Sequence, residues 1–117
     1  MTVRELIELT GAANMTPEAA LDTEVTCGYT CDLLSWVMAH GKAGMAWITV
    51  QTHMNVIAVA SLMEMAAVII PENIEMEEPS LAKAREEGIA VLQSGKTAYE
   101  LCALMAGDGL PGTPREG

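Results

Sequence analysis

A chain of 117 residues is long enough for one well-buried core and too short for two ordinary domains. Sixteen acidic residues against six basic ones leave a net charge of -10, which repels polyanions and argues against nucleic acid or an anionic membrane surface as a partner. Half of the residues are hydrophobic, yet Phe is absent and only two Trp and two Tyr occur, so the core must be filled by aliphatic side chains and by the nine Met, whose flexible thioethers adapt to irregular gaps.

Thr2 and Glu5 have the spacing of a capping box, and Leu6, Ile7 and Leu9 supply an apolar stripe. Together they predict a short helix over residues 3–9, closed by Gly11. Residues 12–15 could form a first strand, while Thr16-Pro17-Glu18 carries turn or helix-start chemistry and leaves the stretch to Asp22 open. A strand is expected from Glu24 through Cys27, punctuated by Gly28. A helix then covers about residues 33–38, stops near Gly41 and takes Thr30 or Asp32 as its cap.

Residues 45–50 are a continuous apolar, β-branched run, the pattern of a strand buried on both faces. A helix over residues 55–65, apolar nearly all round, follows directly. Residues 67–70 read as a second buried strand. Pro79 at a first helical position opens a charged helix that Gly88 stops, and residues 89–92 make a further strand. Thr97 and Glu100 form another capping box, opening a last helix to about Ala106.

Strands alternating with helices point to a single compact α/β domain over residues 1–106, with a mostly parallel sheet of about 4–5 strands flanked by helices. Residues 107–117 hold four Gly and two Pro and are expected to be a flexible tail. The three cysteines are an odd number, and the N-terminus lacks the basic, apolar and small-residue order of a signal peptide, so a cytoplasmic location is the simpler reading. The longest apolar region, residues 55–70, is broken by Glu64 and falls short of the roughly 20 residues of a spanning helix.

A phosphate-binding P-loop needs a glycine, four residues and then Gly-Lys-Ser/Thr, and Gly95-Lys96-Thr97 lacks that first glycine. The chain is therefore not expected to be a kinase by itself. Cys27 and Cys31 with His40 and His53 have the residue types of a zinc site, but two cysteines four apart at a strand-to-helix junction suit small buried hydrophobes better, and no Cys-x-x-Cys pair is present. Glu72, Glu75, Glu77 and Glu78 lack the oxygen-ligand pattern of a calcium loop, which favours a solvated charged loop. No catalytic or metal-ligating residue is assigned.

The run Gln51-Thr52-His53-Met54-Asn55 is more telling, because it lies directly after a buried strand and directly before a helix. In a parallel sheet that junction is at the carboxyl edge, where ligands bind and a helix N-terminus suits an anion. The competing reading is that Thr52 or Asn55 only caps the helix and His53 is a turn residue. The candidate ligand-binding residues are Gly28, Asp32, Thr52, His53 and Asn55. The helix over residues 55–65 carries more apolar surface than one sheet face requires, so it is either centrally buried or a subunit interface.

Residues Val25-Thr26-Cys27-Gly28-Tyr29-Thr30-Cys31-Asp32-Leu33-Leu34-Ser35 and Trp47-Ile48-Thr49-Val50-Gln51-Thr52-His53, with Asn55 and Ala58-Val59-Ala60, resemble the DRTGG domain family. The resemblance extends over about residues 1–106, through Pro79, the turn at Gly88 and the helix after Thr97. It implies a small α/β domain similar to the N-terminal domain of HPr kinase, found also in some phosphotransacetylases and beside CBS domains in some pyrophosphatases. In those settings the domain resembles a regulatory or dimerisation module. One departure stands out: many members carry a Gly-Gly pair where this chain has Pro71-Glu72-Asn73.

The leading expectation is a homodimeric, non-catalytic sensor for a nucleotide-like or anionic small molecule. The alternatives are a structural module whose apolar helix docks a protein partner, and an enzyme using His53 with Asp32 or a cysteine. The ligand itself and any cofactor are not readable from these residues.

Overall fold

In the computed structural model, which describes residues 1–114, helices and strands alternate along the chain. They are α1 (Val3–Thr10), β1 (Ala13–Asn14), β2 (Cys27–Thr30), α2 (Leu34–His40), β3 (Met45–Ile48), α3 (Met54–Leu62), β4 (Ala67–Ile70), α4 (Glu78–Glu87), β5 (Ala90–Gln93) and α5 (Ala98–Gly107). Both expected capping boxes form: Thr2 and Glu5 exchange bonds at the start of α1, as do Thr97 and Glu100 at the start of α5. Left-handed Gly11 and Gly88 close α1 and α4.

The strands form one sheet in the order β1-β5-β4-β3-β2, with β2 to β5 parallel and β1 antiparallel on β5. Each parallel strand is thus followed by its neighbour in space. Right-handed crossovers made in one direction put every connecting helix on the same face, and the core divides accordingly. Val37, Val56, Ile57, Leu81 and Ala84 of α2, α3 and α4 pack on Trp47, Val68, Ile70 and Val91. On the opposite face Val3 and Leu6 of α1 and Leu101 and Met105 of α5 pack on Ala46, Ile48, Ala67, Ile69 and Leu92.

Strand register sorts these side chains into rows. Tyr29, Trp47, Val68 and Val91 align across the sheet as a large row under α2 to α4, whereas Gly28, Ala46, Ala67 and Ala90 align as a small one under α1 and α5. Gly28 therefore sits inside β2 instead of punctuating it. A Cβ there would lie 3.0 Å from Met105 Cε and 3.4 Å from Leu110 Cδ2, so α5 and the chain after it approach closely, and a side chain here would need these flexible ends to give by a few tenths of an ångström.

Other boundaries shift for equally physical reasons. The cap of α2 is Leu33, with no side-chain bond, because the Asp32 carboxylate is engaged elsewhere. The third helix begins at Met54 and ends at Leu62, not at residues 55 and 65, and Glu64 turns the chain with φ 56. Pro79 is the second residue of α4, behind Glu78. In the open stretch, Thr16 is fully buried; its hydroxyl accepts from Val91 N and donates to the Ile89 carbonyl, fastening this segment to β5. Beyond α5, the Pro111 carbonyl accepts from Gly28 N at 2.9 Å, so this part of the expected tail lies along the free edge of β2. Residues 115–117 of that tail lie outside the described residues.

After β4, Glu72 and Asn73 both adopt left-handed backbone, φ 63 and 58, and their N–H groups bond the Lys96 and Ser94 carbonyls. Side chains in that conformation cost roughly 1–2 kcal/mol each, less for Asn. Glu72→Gly is therefore expected to raise stability by up to about 1 kcal/mol after the entropy of glycine is discounted, and by more than Asn73→Gly does. Urea unfolding midpoints of the two variants check the order.

Candidate functional site

Four of the candidate residues lie beyond the carboxyl ends of β2 and β3. Asp32 Oδ1 accepts from the Thr49 hydroxyl and from Val50 N, both at 2.9 Å, and so pins the chain leaving β3. Gln51 Nε2 donates to the Asp32 carbonyl at 3.1 Å. The Thr52 hydroxyl donates to Glu77 at 3.1 Å, while its carbonyl accepts from the buried Ser80 hydroxyl at 2.6 Å. His53 is the N-cap of α3: its Nδ1 accepts from Asn55 N at 3.2 Å. Gly28, the fifth candidate, stands apart in the body of β2, turned to the α5 face.

The geometry limits what this junction can do. Parallel strands laid down in one direction have no reversal of order, so the crevice that open α/β sheets offer at such a reversal does not arise between β2 and β3. Asp32 and Glu77 bring carboxylates to the junction, which tempers the anion-binding bias of the α3 N-terminus. What remains is a set of mostly exposed hydrogen bonds that tie this junction to the chain after β2 and to the start of α4.

His53 turns Nδ1 to a backbone N–H, and among the described residues no hydrogen bond joins it to Asp32 or to a cysteine. His40 stacks on Trp36 with ring centroids 4.1 Å apart, and Cys27 is fully buried in the core, so the four residues of the zinc pattern are not gathered. Burial pushes the thiols of Cys27 and Cys102 above their ordinary value, the opposite of what activates a cysteine nucleophile. Among the described residues no group of three or more His, Cys, Asp or Glu is placed to hold a metal ion. No helix among them is long and apolar enough to cross a membrane.

Two features escape the residue-by-residue reading. An apolar groove runs between α2 and α3, lined by Leu34, Met38, Asn55, Ala58, Val59 and Leu62. Of its lining residues Met38 and Leu62 are exposed, Leu62 at 66%, and Leu33, Trp36 and Met54 are exposed as well. Its signal in the sequence is the surplus apolar surface of α3; the contribution of α2 shows only once Val37 is seen to be its one buried residue. The second feature is a cavity of about 350 Å³ between β2, α5 and the segment after α5, for which no local signal exists.

No family model matches the chain, and no curated protein matches it. A solved structure does: the CBS and DRTGG domains of the regulatory region of Clostridium perfringens pyrophosphatase, complexed with the activator diadenosine tetraphosphate. The match has a TM-score of 0.70 at 9% identity and covers 94% of this chain and 47% of that one. The fold is DRTGG-like. The chain spans about half the length of the regulatory region it resembles, and at this identity the likeness is one of fold. Within the DRTGG-like fold, left-handed Glu72 and Asn73 are where a Gly-Gly pair would relieve strain, so the departure noted in the sequence changes side chains at a loop whose backbone still asks for glycine.

Proposed function

We propose that this DRTGG-like domain is a non-catalytic regulatory module that binds a nucleotide-like or anionic small molecule and pairs with a second copy of itself. The observation that carries the reading is the position of the first turn of α3. His53 and Asn55 belong to the polar junction, and Asn55 also lines the apolar groove between α2 and α3. A ligand that donates to Asp32 or bonds Thr52, His53 or Asn55 therefore acts on the helix that carries the proposed pairing face, and Gly28 offers a second contact on the other side of the sheet. The resemblance to a regulatory region solved with a dinucleotide activator supports both the regulatory role and the ligand class.

Thermal unfolding against nucleotides, phosphorylated metabolites and divalent metals tests the proposal. A ligand at about 100 times its dissociation constant adds about 2.7 kcal/mol, a shift of several degrees for a domain of this size. His53→Ala is expected to cost about 1 kcal/mol through the lost cap and to abolish the shift. No shift with any compound would contradict the sensor reading. Turnover in a hydrolase and phosphotransfer screen that disappears with His53→Ala would overturn the non-catalytic one.

A second reading has its own observation. Asp32, Thr52 and His53 each already have an intramolecular partner, as they would if the junction only fastened β3 to α3 in a structural module that docks a protein partner. On that reading His53→Ala changes stability and nothing else.

A further inference from the structure

β2 is the outer strand of the sheet, and its free edge is only partly covered. Cys31 N donates inward to the Ile48 carbonyl, whereas Gly28 N donates outward to the Pro111 carbonyl. Backbone groups alternate along a strand, so the Gly28 carbonyl and the N–H and carbonyl of Thr30 also point outward. Pro111 occupies the Gly28 N–H; Thr30 is exposed. The cavity opens beside this stretch, with Gly28 and Thr30 on one wall, Cys102 and Met105 of α5 on another, and Ile48 beneath.

We infer that this cavity binds an uncharged planar heterocycle carrying an amine next to a ring nitrogen, as in an aminopurine nucleoside, read by the Gly28 carbonyl and the Thr30 N–H. An outward carbonyl and the outward N–H two residues later present an acceptor beside a donor, the complement of an amine beside an acceptor nitrogen. The walls suit a flat apolar ring. Ile48, Met105, Ala106, Leu110 and Pro111 are apolar, and Gly28 leaves the strand surface without a side chain. The volume of about 350 Å³ falls within the roughly 300–1,000 Å³ of small-molecule sites. Among the described residues no charged side chain lines the cavity, and the chain carries -10 overall, so the lining favours the ring over a phosphate. The inference gives the sensor reading a ligand class at Gly28, and it does not depend on the Thr52–His53 junction.

Titration of the ¹⁵N- and methyl-labelled protein with adenosine tests it, with purine riboside, which lacks the amine, as the comparison. Adenosine is expected to move the Thr30 amide and the Met105 methyl resonance, and purine riboside to bind about tenfold more weakly, the worth of one good hydrogen bond. Thr30→Pro removes the outward N–H at an edge position where proline is tolerated and is expected to weaken adenosine by about tenfold or more. Should that variant fail to fold, Ala106→Trp, at an exposed position of α5, closes the mouth of the cavity and is expected to abolish binding. Absence of a Thr30 shift with adenosine at millimolar concentration, or equal binding by wild type and Ala106→Trp, overturns the inference. Neither result touches the His53-dependent thermal shift, so this site can fail while the sensor reading stands.

Discussion

Trp47→Ala is expected to leave the domain unfolded or close to it. Trp47 is fully buried in β3 at the centre of the large row, and its Nε1 donates to the Cys31 carbonyl at 2.8 Å, tying β3 to the end of β2. The one aromatic neighbour in the row, Tyr29, is held on the edge strand β2 and is only partly buried. Truncating a buried Trp costs about 3–5 kcal/mol, and the abandoned carbonyl about 1–3 more, against a total of roughly 5–15 kcal/mol for domains of this size. Urea denaturation followed by circular dichroism checks this: the variant should show a transition at or near zero denaturant, while Trp47→Phe, which keeps most of the volume and loses the hydrogen bond, should retain a cooperative one. A midpoint unchanged in Trp47→Ala would mean that the core is not built around β3.

The second large effect concerns pairing. On the proposed pairing through α2 and α3, Leu33→Glu combined with Leu62→Glu is expected to give a monomer without unfolding it. Both side chains are exposed, at 62% and 66%, so the change is close to neutral for the isolated chain. In a pair it buries four carboxylates without partners, at a cost of several kcal/mol, between two chains that each carry -10. Dissociation should increase by more than about a hundredfold, the equivalent of roughly 3 kcal/mol. Tyr99→Glu, at an exposed position of α5 on the opposite face, should leave the mass unchanged. Like charge on both partners also gives the proposed dimer a distinctive sign of salt dependence, because screening should tighten it.

What the sequence makes legible is what local chemistry decides. The capping boxes at Thr2 and Thr97, the buried runs of β3 and β4 and the stop at Gly88 follow from residues within a few positions of one another. What escapes it depends on distant residues. Gly28 reads as a break from its own freedom, yet it lies within β2, close against Met105 and Leu110. Asp32 resembles a cap for α2, yet its carboxylate serves Thr49 and Val50, on the far side of the α2 crossover. His53 caps α3 in place of the commoner Thr or Asn because its Nδ1 reaches the same backbone N–H. The division of the candidate site, with Gly28 apart from Asp32, Thr52, His53 and Asn55, follows from strand order, and strand order has no local signature. The cavity at Gly28 likewise needs the chain after α5 to fold back on β2, which a glycine- and proline-rich composition does not announce.

Pairing through the face formed by α2 and α3 is the claim on which the regulatory reading turns. Light scattering on the protein eluting from a sizing column at micromolar concentration tests it most directly. The mass should be that of two 12.4 kDa chains for the wild type and of one for Leu33→Glu/Leu62→Glu. A wild type with the mass of a single chain at every concentration would contradict it.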